Sequence, residues 1–156
     1  MLNLKNDFSP TKNNIIFDQN ININTSCIKP DELLLGYCNI NADNIIIIDY
    51  RYFKLIRKFN CIENDDIIEH MITIFEKVLE TQENFTVFIC LKTLTIGDID
   101  KYYSTIGKIS EIFKHKFPDK MHECFVYNAP FIFSQFIKIV SVFSDKKTMS
   151  KLKIVK

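Results

Sequence analysis

The stretch FPDKMHECFVYNAPFIFSQFIKIVSVFSDKKTMSKLKIVK, residues 117–156, decides how the rest of the chain is read. Cys124, Phe125, Val126 and Tyr127 are consecutive apolar residues of strand character. Pro130 ends that strand, because it has no N–H to give to a ladder. It also holds Ala129 extended and suits the first turn of a helix. The helix expected next, Phe131 to Phe143, is apolar nearly all round, with Lys138 as its one charge. A surface helix keeps a polar face. This one is either fully buried in the core or in contact with something apolar outside it. A basic group follows: Lys146, Lys147, Lys151, Lys153 and Lys156. Such a run is a solvated face, or, at an anionic membrane, a source of roughly 1 kcal/mol of attraction per lysine. An apolar helix beside lysines suits a phospholipid, tails on one and headgroup on the other.

Working outward, 156 residues imply one domain, and a hydrophobic content of 47% is enough for a sizeable core. A net charge of +1 argues against a general nucleic-acid binder. The N-terminus lacks the apolar run of a signal peptide, and no segment has the roughly 18 uncharged apolar residues of a membrane span. A cytoplasmic protein is expected. Five cysteines, widely spaced and without a CxxC pair, read as reduced thiols that are mostly core residues.

Residues 1–30 are Asn-rich and read as a loose arm, with one short element around Ile15 to Phe17. Pro30, Asp31 and Glu32 open a helical turn that Gly36 stops. Tyr37 to Ile40 and the β-branched run Ile45 to Ile48 read as strands joined by the turn Asn41-Ala42-Asp43-Asn44. The second strand is of the kind covered on both faces. Asn64 reads as an N-cap, with Asp65 and Asp66 in the first turn of an amphipathic helix over Ile67 to Leu79. Phe85 to Leu91 is a buried strand. Asp98 or Asp100 starts the next helix, whose stripe is Ile99, Tyr102, Ile106, Ile109, Ile112 and Phe113. Lys153 to Lys156 reads as a last strand. Strands alternating with helices give an α/β fold with a mostly parallel sheet flanked by helices.

Chemistry-bearing patterns are few. His70, His115 and His122 are not at metal-ligand spacing, and His122-Glu123-Cys124 runs into strand core, so no metal is expected. Cys90 lies mid-strand, where apolar surroundings keep a thiol inert. No Gly-rich phosphate loop and no GxSxG occurs. The reading is therefore no enzyme, no catalytic residue and no cofactor.

The last forty residues resemble the CRAL-TRIO lipid-binding domain family, that of phosphatidylinositol transfer proteins. That family carries Tyr-Pro-Glu-Arg, a strand ending Asn-Ala-Pro, a Phe-rich helix, then Phe-Leu-Asp-Pro-x-Thr and Ser-Lys-Ile. The counterparts are Phe117-Pro118-Asp119-Lys120, Asn128-Ala129-Pro130, Phe143-Ser144-Asp145-Lys146-Lys147-Thr148 and Ser150-Lys151-Leu152, in register without a gap. Upstream, Cys90-Leu91-Lys92-Thr93 keeps half of the family's Asp-Leu-Lys-Gly.

The resemblance implies a CRAL-TRIO-like mixed, mostly parallel sheet over residues 31–156, C-terminally truncated relative to the family. It implies binding, transfer or presentation of a phospholipid, such as a phosphoinositide, or another hydrophobic small molecule, with transient contact to a membrane surface. Phe131, Phe133, Phe136, Ile137, Val140 and Phe143 would line the lipid tail on a gate helix, and Asp119 and Lys151 would meet the headgroup. The alternative it implies is an adaptor of the BCH type, which kept the fold, lost the cavity and binds a protein partner.

Overall fold

The computed structural model describes residue 17, residues 20–24 and residues 26–155. The N-terminal arm falls largely outside the described residues, as does Ile15 of its expected short element; Phe17 is helical.

Helix α1 (Pro30–Tyr37) opens with proline in its first turn and acidic Asp31 and Glu32 beside the positive end of its dipole. It runs through Gly36 instead of stopping there. The Tyr52 ring occupies the space a Cβ would need, 2.2 Å away, so this glycine permits a helix-to-helix approach. Strands β1 (Cys38–Ala42) and β2 (Ile45–Asp49) form an antiparallel hairpin, with an irregularity between Ile40 and Ala42. Every residue of β2 is buried, as its β-branched run requires.

Helix α2 (Tyr50–Phe59) was not anticipated from the sequence. Its buried stripe is only Tyr50, Phe53 and Ile56, too short to stand out among the basic residues between them. Asp49 caps it, accepting from the Arg51 backbone N–H at 3.1 Å and pairing with the Arg51 guanidinium at 2.8 Å. Helix α3 (Asn64–Leu79) starts on Asn64 itself; Glu63 is the capping position and supplies no side-chain bond. Strand β3 (Phe85–Cys90) leads into helix α4 (Ile96–Lys116). A capping box between Thr95 and Asp98 starts α4, so Asp98 sits in the first turn, reaching back to the Thr95 N–H. Strand β4 (Met121–Tyr127), helix α5 (Phe133–Phe143), the short helix α6 (Lys146–Met149) and strand β5 (Leu152–Ile154) complete the chain. Pro130 gives a turn before α5, so Phe131 and Ile132 precede the helix.

The sheet order is β1-β2-β3-β4-β5, with β2 to β5 mutually parallel. Crossovers of one hand between sequential neighbours bring their helices to the same face. Ile46, Ile48, Val87, Cys124 and Val126 accordingly join the side chains of α1 to α5 in one core. Alternate residues point the other way. Ile45, Ile47, Phe88, Cys90 and Tyr127 form a second, smaller cluster with Phe17, whose ring lies 5.1 Å from Tyr127. Three cysteines are buried, and burial pushes the Cys124 thiol up to about 12, so it stays protonated.

Thr93, on the turn after β3, has φ 72. A β-branched residue is strained there. It stands where the resembling family has glycine, and its side chain is exposed. Relief of the left-handed penalty, roughly 1–2 kcal/mol, exceeds the backbone entropy cost of glycine, roughly 0.5–1 kcal/mol. Thr93→Gly is therefore expected to stabilise the fold by about 0.5–1 kcal/mol in urea unfolding, with an unchanged m-value.

Candidate functional site

Helix α5 does not behave as a core helix. Phe133 is its one buried residue; Phe136, Ile137 and Val140 are half-buried and Val142 is 70% exposed. The helix stands off the sheet and leaves a cavity of about 460 Å³ beneath it. That lies within the roughly 300–1,000 Å³ of small-molecule sites. Val87, Ile89, Cys124 and Val126 form its floor, and Tyr102, Ile106, Ile109 and Phe113 of α4 one wall. Phe133, Phe136, Ile137 and Val140 of α5 form the opposite wall. Strand β3 has six residues, so the floor is roughly 20 Å long at about 3.3 Å per residue.

The two ends of the cavity are polar and differ. At the N-terminal edge of the parallel strands lie Asp119, just before β4, and Lys151, just before β5, with Lys114, Asp145 and Thr148. Asp119 is in the left-handed region, φ 58, which aspartate tolerates. Its carboxylate pairs with Lys147 at 2.9 Å, both groups largely exposed. Lys151 donates to the Met121 carbonyl at 2.6 Å. Asp145 caps α6 through the Thr148 N–H at 2.7 Å.

At the C-terminal edge lie Tyr50, Tyr102 and Asp98. Burial first, and then the adjacent Asp98 carboxylate, push the Tyr50 hydroxyl pKa well up. The Tyr50 hydroxyl is buried beside Asp98 but not aligned for a full hydrogen bond. Burial alone would raise the Asp98 pKa. The Tyr50 hydroxyl, the Thr95 N–H at 3.1 Å and the Lys54 ammonium at 3.2 Å outweigh it and leave the pKa lowered.

Of the side chains expected to hold a lipid tail, Phe133, Phe136, Ile137 and Val140 line the cavity. Phe131 lies outside it, 95% exposed on the turn before α5. Phe143 sits at the far end of α5, its ring 6.2 Å from Tyr103 and over Gly107 of α4. A Cβ on Gly107 would come within 2.6 Å of that ring, so the missing side chain is the notch that seats it. Both expected headgroup residues reach the cavity mouth, each with a protein partner.

The family model described as the CRAL/TRIO domain matches residues 32–156. The chain belongs to the CRAL-TRIO family. It is a family of lipid-binding and lipid-transfer domains, and this chain carries its α/β fold with the five-stranded, mostly parallel sheet. The crystal structure of Sfh5 matches with a TM-score of 0.66 at 17% identity, over 83% of this chain and 50% of that one. At that identity the likeness is one of fold, and the chain spans about half the length of Sfh5. No curated protein matches the sequence. Among the described residues, no helix is long and apolar enough to cross a membrane.

Sequence reasoning missed the polar end of this CRAL-TRIO cavity. Tyr50 and Asp98 come from separate helices, and a capping role already accounts for the carboxylate. Lys147 was seen only as one of a basic run, though its spacing from the helix-capping Asp145 gave a hint of its position.

Two outcomes follow from these contacts. The folded-state pKa of Asp98 lies below the usual value near 4. The stabilisation from its partners is thus present above about pH 4 and is lost as pH falls through the lower folded value. Asp98→Asn should lower the melting temperature at pH 7, and the gap should close in strong acid. A gap of equal size at both pH values would mean the side chain acts by shape alone. Gly107→Ala should displace the Phe143 ring and speed amide hydrogen exchange across Phe133–Phe143 several-fold, with β3 unaffected.

Proposed function

We propose that the chain is a non-enzymatic carrier that holds one hydrophobic lipid over its sheet and presents or transfers it at a membrane surface. A phospholipid such as a phosphoinositide is the ligand that fits best. The observation that carries this reading is the apolar cavity of about 460 Å³ with charged side chains at one mouth. Burying about fourteen methylenes there yields on the order of 10 kcal/mol before ordering costs, at roughly 0.8 kcal/mol each.

In this reading residues 31–156 are the lipid-binding unit and α5 is its gate. Phe133, Phe136, Ile137 and Val140 contact the acyl chain. Phe143 latches the gate against α4. Phe131 and Val142, both exposed, enter the membrane interface when the gate opens. Lys151 and Lys147 contact the headgroup phosphate, and Asp119 contacts its hydroxyls once released from Lys147. The protein works in the cytoplasm and meets membranes transiently. The exposed Phe131 and Val142 also suit a partner surface, which favours the adaptor reading, but an adaptor has no need of the cavity.

Native mass spectrometry of the purified chain, followed by organic extraction, is expected to find one phospholipid per protein. Phe136→Asp and Lys151→Glu should each reduce uptake from anionic vesicles at least tenfold while the protein stays folded. Phe131→Ser should slow transfer without changing the melting temperature, because that side chain is already in water. An empty protein that takes nothing from vesicles would transfer the assignment to the adaptor.

A further inference from the structure

The C-terminal edge of the sheet carries a second concavity, outside the lipid cavity and sharing with it only Asp98 and Tyr102 as a dividing wall. It is an open cleft of about 730 Å³ between α2, the turn after β3, the start of α4 and Asn20 and Ile21. Six of the chain's 20 basic residues line it: Arg51, Lys54, Arg57, Lys58, Lys92 and Lys101. Among the described residues, Asp98 is the one carboxylate in the lining. In a chain of net charge +1, that is a strong segregation of charge.

The segregation has a local origin and a cost. Tyr50, Phe53 and Ile56 take the buried side of α2. Arg51, Lys54 and Lys58, spaced by three and four, then share a stripe away from it, and Arg57 lies at the border of the buried side. Like charges at these spacings repel. The fold relieves some of them. Arg51 is held by Asp49 at 2.8 Å, and Lys54 by Asp98 at 3.2 Å and the carbonyl of strained Thr93 at 2.9 Å. Arg57 donates through Nη2 to the Ile62 carbonyl, while its Nε is buried with no hydrogen-bond partner. Lys58, Lys92 and Lys101 are exposed and make no ion pair among the described residues; Lys58 and Lys101 lie over the rings of Phe59 and Tyr102.

A concave surface lined by one sign of charge focuses its field on an incoming counter-ion. We propose that this cleft binds a compact phosphate-bearing anion of at least two charges, at a site separate from the cavity and its headgroup end. Phosphate chemistry fits because guanidinium and ammonium groups converge on it from three segments. Its oxygens accept several charge-assisted hydrogen bonds at once. The basic residues cluster around one open cleft of limited size, which suits a small polyanion or a single headgroup better than a nucleic-acid strand, which needs a continuous basic track. The source is either a soluble phosphate or the head of a membrane lipid, and the two are separable by experiment.

The full chain would be titrated with inositol hexakisphosphate, and separately with phosphatidylcholine vesicles containing or lacking phosphatidylinositol 4,5-bisphosphate, at roughly physiological salt. Two triple variants are compared: Lys58→Glu/Lys92→Glu/Lys101→Glu in the cleft, and Lys29→Glu/Lys77→Glu/Lys120→Glu outside it, with equal change in net charge. The expected result is at least tenfold weaker binding for the cleft variant only. Amide shifts on binding should centre on Lys92, Thr93 and Lys101. Saturable binding of the soluble probe assigns the cleft to a soluble phosphate; binding to the charged vesicles alone assigns it to a lipid head. If the cleft variant fails to fold, the glutamine triple at the same positions replaces it. Equal losses in both triples, no binding of either probe, or tighter binding of a short single-stranded oligonucleotide would each overturn the proposal.

Discussion

Strands β2, β3, β4 and β5 join the sheet one after another, all in the same direction, and that constraint sets everything else. Each crossover must return the chain over the sheet, and crossovers of one hand return over the same side. The crossover helices therefore crowd one face. The last of them, α5, arrives where α4 already packs. Its ends are held, Phe133 in the core and Phe143 in the Gly107 notch, but its middle turns bridge the gap without filling it. A helix made almost wholly of apolar residues is thus left with half its surface uncovered, above a floor of aliphatic strand residues.

That arrangement explains why the apolar helix is not a liability. Its inner side lines the apolar cavity, and its outer side is short and flanked by lysines of α6 and the β4–β5 region. The aromatic cluster of Phe75, Phe85, Phe113 and Phe117 lines the same cavity, with ring separations of 4.6–6.2 Å. These rings come from α3, β3, α4 and the turn after α4. The cavity is therefore walled in part by the same packing that stabilises the fold.

Parallel strands also sort the charges. Loops leaving the N-terminal edge bring Asp119, Lys147 and Lys151 together, and loops at the C-terminal edge bring Asp98 to the basic stripe of α2. The edges are separated by the length of the strands. Asp98 is the one carboxylate common to the cavity and the basic cleft, and it holds Lys54 on one side and faces Tyr50 on the other.

Local pattern carried much of the architecture. The isoleucine run at Ile45 to Ile48 has no stable place except a strand covered twice. The stop at Pro130 and the amphipathic spacing of α3 were readable from residue type and interval, and the register of the last forty residues came from their resemblance to the family. Gly36 and Thr93 were not readable in this way. A glycine inside a helix and a threonine at positive φ are each explained by a neighbour or a turn outside their own segment. Helix α2 escaped notice because its buried stripe is three residues long. What α5 does was undecided in principle: its composition permits burial or exposure, and only its distance from the sheet, set by α4 and by a ring resting on Gly107, leaves it as a half-covered wall. Cleft and cavity ends alike are built from residues far apart in the chain, and proximity of that kind is a property of the folded backbone, because no sequence interval encodes it.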